Sequence, residues 1–92
     1  MIRSFKDKRA LALYLGEVVP ELQNIRSVAM RKLDMLAAAT QLSDLRAPPA
    51  NRLEALRGNR QGQHSIRVND QFRLCFVWRE GGAEQVEIVD YH

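Results

Sequence analysis

Cys75 is the single cysteine in a chain of 92 residues, which excludes an intramolecular disulfide and any zinc site built from several thiolates. A lone thiol fits a reducing compartment, and its place inside an alternating apolar run marks Cys75 as a buried strand residue. Long apolar stretches are also missing. Gly16 and Glu17 break the run from Leu11 to Val19, with Arg9 just before it, so neither a secretion signal nor a span of roughly 18–20 residues is present. A soluble cytoplasmic protein with no membrane association is the expectation. There is no glycine loop built to cradle phosphate, because Gly58 and Gly62 are not followed by Lys-Ser or Lys-Thr. No nucleophilic triad and no metal-ligand spacing stand out, and no cofactor is implied. Internal repeats and low-complexity tracts are absent as well.

The length allows one small core that buries roughly 60–65% of the extended-chain surface, so a single domain over residues 1–92 is expected. Lysine and arginine together number 14 against 11 for aspartate and glutamate, a net charge of +3. A large anionic partner, whether RNA, DNA or an acidic protein, is attracted at long range.

Periodicity divides the chain. Ile2 to Phe5 reads as a short strand and Lys6 to Gly16 as a short helix stopped by its glycine. From Glu21 to Thr40, Leu22, Ile25, Ala29, Leu33 and Leu36 recur at steps of three and four, while Arg26, Arg31, Lys32 and Asp34 fall mostly off that stripe; this is the strongest helix. Pro48 and Pro49 prevent its continuation, and Ala37 to Ala50 reads as a linker. After Arg52 the period becomes two. Ile66 and Val68 alternate with Ser65 and Arg67, and Phe72, Leu74, Phe76 and Trp78 alternate with Arg73, Cys75, Val77 and Arg79. Val86 and Ile88 continue the pattern, with turn signals at Asn69-Asp70 and Gly81-Gly82. The fold class is α+β: an antiparallel meander with two helices packed on one face.

Lysine is confined to the first half. From Arg46 to Arg79 every cation is arginine, at Arg46, Arg52, Arg57, Arg60, Arg67, Arg73 and Arg79, opposed only by Glu54 and Asp70. The planar guanidinium suits bidentate contact with phosphate. Any one of these residues reads most simply as a solubilising charge, but the set reads as an RNA-binding face, with Arg52, Arg60, Arg67 and Arg73 as candidates. If Val68 and Phe72 flank a tight turn, Arg67 and Arg73 project from the same face of one hairpin, where two cations repel unless an anion or a carboxylate sits between them. Such a local conflict is expected at a functional site, and Arg73 is the leading phosphate-binding candidate.

The chain closes on Asp90, Tyr91 and His92. By themselves these read as a solvated tail. Their chemistry suggests more: cleavage of RNA by its own 2′-hydroxyl needs a base, an acid for the leaving 5′-oxygen, and cations for the phosphorane, and imidazole serves as either acid or base near neutral pH. His64, within a strand, reads as structural.

The run Leu56-Arg57-Gly58-Asn59-Arg60, followed by Ser65-Ile66-Arg67-Val68-Asn69 and Phe72-Arg73, resembles the core motif of HigB toxins in the RelE superfamily. Met1 to Phe5 and Asp90 to His92 are similar to that family too, whereas residues 6 to 50 match in length and pattern alone. The resemblance implies a RelE-like, microbial-ribonuclease-type fold. It also implies a metal-independent, ribosome-dependent endoribonuclease that cuts messenger RNA, neutralised by a cognate HigA-like antitoxin with a helix-turn-helix; operator DNA would be met only through the antitoxin complex. By position it makes Arg57 and Arg73 phosphate contacts and Asp90, Tyr91 and His92 active-site residues. Glu54 departs from relatives that carry histidine there, which leaves the base open among Glu54, Asp90 and His92. Two rival readings are a ParE-like gyrase poison without catalytic residues, and a non-catalytic RNA- or ribosome-binding module.

Overall fold

The computed structural model describes residues 1–91. Helix α1 (Lys8–Tyr14) starts where the Asp7 carboxylate accepts from the Arg9 amide, satisfying one of the donors a helix start leaves open. The other Asp7 oxygen accepts from the Ile88 amide at 3.2 Å, which ties the helix start to the last strand. Gly16 ends this segment at φ +86, a left-handed conformation that glycine adopts without strain. The second helical segment departs from the sequence expectation at its start. Pro20–Ile25 forms a 3-10 helix, and the α-helix proper, α2 (Arg26–Ala38), begins after it. The predicted stripe is nonetheless the buried one: Leu22, Ile25, Ala29, Leu33 and Leu36 are all buried.

Four strands follow, β1 (Glu54–Ala55), β2 (His64–Arg67), β3 (Phe72–Arg79) and β4 (Gly82–Asp90). They pair antiparallel in chain order, which is the expected meander. Both helices lie against the face that carries Ile66, Leu74, Phe76, Val86 and Ile88, and together they enclose the core.

Three local differences from the sequence reading have physical causes. The β3–β4 turn is Glu80-Gly81, both at positive φ, and Gly82 is the first residue of β4; positive φ at both central positions is the type I′ form of a two-residue hairpin loop, whose twist matches that of the strands. Ile2 to Phe5 does not form a continuous strand but meets β4 in two isolated parallel bridges, Ile2 to Ala83 and Phe5 to Val86. The cause is a bulge in β4. Cys75 pairs with Glu87 while Val77 pairs with Glu84, so β4 carries one extra residue there, and Gln85 stands at φ 53 with its amide on Ser4 Oγ. The third difference concerns residues 37–50. They contain a 3-10 helix, Leu42–Arg46, whose Leu45 is buried in the core, so this segment is packed structure rather than a linker.

Candidate functional site

Alternation along β2 and β3 puts Ser65, Arg67, Arg73 and Cys75 on the sheet face away from the helices. Glu54 joins them because it pairs with Ser65, and Glu87 because it pairs with Cys75. Without the bulge, Glu84 and Glu87, three residues apart, would alternate to opposite faces; the extra residue puts both on this one.

Arg73 is the centre of the cluster. Its Nε donates to Ser65 Oγ at 2.8 Å and its Nη2 donates to the Arg52 carbonyl at 2.7 Å. The Glu54 carboxylate is 3.5 Å from Nη2. The Tyr91 ring stands beside the guanidinium, with its centroid 5.9 Å from Cζ. The Arg73 side chain is only 12% exposed against 56% for Glu54, so the guanidinium is held in place while the carboxylate is open to solvent. Among the described residues Nη1 of Arg73 has no hydrogen-bond partner. A fixed guanidinium with one donor edge uncommitted is a ready site for a phosphate oxygen.

Ser65 and Cys75 are fully buried although they lie on the open face. Arg73 covers the serine, and Tyr91, whose Oη is 3.9 Å from Cys75 Sγ, lies over the thiol. Burial pushes the Cys75 thiol above its usual range, and burial followed by the neighbouring thiol raises the Tyr91 phenol. Tyr91 therefore stays protonated, and its ring is still half exposed. Asp90 accepts from Gln71 Nε2 at 3.0 Å, and the Tyr91 amide donates to the Gln71 carbonyl at 2.7 Å. These bonds fix the end of β4 against the β2–β3 turn, itself shaped by Asn69 Oδ1 accepting from the Gln71 and Phe72 amides.

The seven arginines differ in what holds them. Arg60 donates to Glu87 at 2.6 Å, which raises its pKa further, Arg67 is bonded to Asp70, and Arg79 lies 3.5 Å from Glu84. The Arg57 side chain is exposed, makes no hydrogen bond or ion pair among the described residues, and lines an open depression with Ala55, Leu56, Gln61, Gly62, Gln63 and His64. Arg46 lines a second depression that also reaches His64. His64 projects to the core side of β2 and stacks on Phe76, with ring centroids 6.3 Å apart. Thus Arg73, Glu54, Tyr91, Arg60 and Arg67 share the open face, Asp90 borders it, and Arg57 stands apart beside His64. His92, expected at the site, lies outside the described residues.

Sequence reasoning missed the residues that hold Arg73: Ser65 and the Arg52 carbonyl. Ser65 carried a signal, being the small polar residue opposite Cys75 on the arginine side of the alternation. A backbone carbonyl carries none. Glu87 also went unremarked, although it is a carboxylate off the Val86 and Ile88 apolar set.

A solved structure described as the YoeB-YefM complex from Staphylococcus aureus superposes with a TM-score of 0.58, covering 100% of this chain and 98% of that chain at 19% identity. That likeness is one of fold. Residues 3–92 match the family described as RelE-like toxin of type II toxin-antitoxin system HigB. The fold is accordingly that of a RelE-like toxin. Among curated proteins, Toxin HigB-1 of Vibrio cholerae serotype O1 is 46% identical over 85 residues, 90% of each chain. Endoribonuclease HigB of Proteus vulgaris is 31% identical over 94 residues, 100% of each. The chain belongs to the HigB-like toxin family of type II toxin–antitoxin systems.

Proposed function

We propose that this toxin is a metal-independent endoribonuclease that cuts messenger RNA in the ribosomal A site and is neutralised by a cognate HigA-like helix-turn-helix antitoxin, through which alone it meets operator DNA. The observation that carries the reading is the Arg73 guanidinium, fixed by Ser65 and the Arg52 carbonyl beside the exposed Glu54 carboxylate and the Tyr91 ring. The endoribonuclease activity for which the Proteus vulgaris relative is named supports it.

In this mechanism a scissile phosphate binds Arg73 and competes with Glu54 for the guanidinium. The 2′-hydroxyl, deprotonated by a carboxylate or by His92, attacks the adjacent phosphorus to form a P–O bond. The P–O5′ bond breaks, and the leaving oxygen takes a proton from the acid partner, giving a 2′,3′-cyclic phosphate and a 5′-hydroxyl end. Glu54, Asp90 and His92 are the acid–base candidates. Arg73 stabilises the phosphorane. Tyr91 offers an exposed ring for base stacking. Arg52, Arg57, Arg60 and Arg67 contact RNA phosphates around the cut, and the ribosome completes the geometry.

The test is translation in a purified system with primer-extension mapping of messenger 5′ ends. New ends at codon-defined positions, dependent on ribosomes, are expected. Arrest of growth with no new ends would overturn the reading in favour of a gyrase poison or a non-catalytic binder.

A further inference from the structure

Lys32 falls on the polar side of the predicted helix, yet it is buried, at 6% exposure. Its Nζ donates to Asn51 Oδ1 at 2.5 Å. Asn51 is itself fully buried, and its Nδ2 donates to the Leu45 carbonyl at 3.1 Å and the Ala47 carbonyl at 3.3 Å. The Asn51 amide donates to the Pro48 carbonyl and the Arg52 amide to the Pro49 carbonyl. This short turn ends with Arg52 in the left-handed region at φ 46, ψ 57, a conformation that a residue with a side chain holds only when its surroundings enforce it. The left-handed residue presents its carbonyl to Nη2 of Arg73 at 2.7 Å.

We propose that Asn51, anchored by Lys32, is a positioning residue for Arg73: it holds the left-handed turn whose Arg52 carbonyl fixes the guanidinium at the phosphate site. The inference rests on the reading of Arg73 as the phosphate-binding group.

A buried lysine and a buried asparagine are costly occupants of a core unless every donor and acceptor is met. Leucine-like side chains would fill the same space without that demand. The Lys32 ammonium is held under penalty, its pKa lowered first by burial and then by Arg31 and Arg67. What the polar pair provides that an apolar pair does not is a hydrogen-bonded grip on three successive segments: α2 through Lys32, the 3-10 helix through Leu45, and the turn itself through Ala47 and Asn51. Arg52 follows at once, so a shift of the turn is a shift of the carbonyl that Arg73 donates to.

The test uses the full chain and two variants, Lys32→Met, which keeps the apolar stem, and Asn51→Ala. The first readout is the arginine Nε–H region of the nuclear magnetic resonance spectrum, with Arg73 assigned from its loss in Arg73→Lys. The Arg73 signal is expected to shift or broaden in each folded variant while the Arg60 signal, pinned by Glu87, stays put. The second is single-turnover cleavage on saturated ribosomes. Each variant is expected to lower the maximal rate by about tenfold or more, a small displacement being costly at a reacting centre, with little change in half-saturation. In an Arg73→Lys background the same changes should cost under about twofold, because effects passing through one side chain do not add. A purely structural role would leave the Arg73 signal in place or multiply the two losses independently, and either result overturns the proposal. If Asn51→Ala does not fold, Lys32→Met decides both readouts. If the unmodified toxin cuts no RNA, the functional reading fails while the Arg73 signal still decides the positioning.

Discussion

Arg67 and Arg73 are directly opposed in the β2–β3 register, and each guanidinium turns to a different carboxylate, Arg67 to Asp70 and Arg73 to Glu54. Two cations at a cross-strand pair repel. The chain resolves the conflict with local anions, and the two anions differ in kind. Asp70 belongs to the same hairpin turn, so its pairing is short-range, whereas Glu54 reaches Arg73 from the edge strand; both carboxylates are exposed. In the proposed mechanism a phosphate at Arg73 would displace a carboxylate that is already in solvent, which keeps the cost of opening the site low.

Arg73→Ala should abolish messenger-RNA cleavage and toxicity and leave a folded chain, since the side chain lies on the open face and its loss opens no core cavity. Arg73→Lys should recover little, because a single ammonium cannot reach Ser65 Oγ, the Arg52 carbonyl and a phosphate together. Growth arrest on induction and mapping of 5′ ends check both. Full toxicity of soluble Arg73→Ala would remove Arg73 from the mechanism.

If Glu54 is the base, Glu54→Gln should lower single-turnover cleavage by about a hundredfold to ten-thousandfold, the usual range for a general base, with ribosome binding preserved. A rate within a few-fold of the unmodified toxin would pass the role to Asp90 or His92.

Cys75 should be inert. Its thiol is fully buried beneath Tyr91 and raised by burial, and only the thiolate reacts with alkylating agents. Timed alkylation followed by mass spectrometry should show negligible labelling of the native chain at neutral pH and full labelling in denaturant. Rapid native labelling would mean that Tyr91 does not cover the sulfur.

Leu45→Ala should destabilise the fold by about 2–5 kcal/mol, the range for truncating a fully buried leucine. Leu45 is 1% exposed. Urea denaturation read by Trp78 fluorescence measures the loss. A change below about 1 kcal/mol would return residues 42–46 to the status of a surface loop.

The Asp44 carboxylate accepts from the Thr40 and Gln41 amides at 3.0 and 3.1 Å, and these bonds, Thr40 first, hold its pKa below the ordinary carboxylate range. A depressed folded pKa gives stability that is complete above the unfolded value of about 3.9 and is lost as pH falls through the lower folded value. Asp44→Asn should therefore be less stable than the unmodified chain at neutral pH, and the gap should close in strong acid. Denaturation midpoints of both chains at neutral pH and below the unfolded carboxylate value check the sign; a gap that persists unchanged in acid would show that the charge contributes nothing.

Strands β2 to β4, the helix stripe and the single-face placement of Arg67 and Arg73 were legible in the order of residues, because a period of two or of three to four is fixed by backbone sterics at the scale of a few neighbours; the two-residue β1 was not. The partners of the site were not. Arg73 meets the Arg52 carbonyl across 21 positions and Arg60 meets Glu87 across 27, and only the closing of the sheet chooses among the carboxylates and carbonyls available. The bulge at Gln85 decides that Glu84 and Glu87 share a face, which simple alternation contradicts. Lys32 falls off the apolar stripe and Leu45 within the expected linker; both are buried because the turn at Asn51 folds back onto α2. Local sterics write the elements into the sequence, and packing between residues far apart along the chain decides which side chains complete the site.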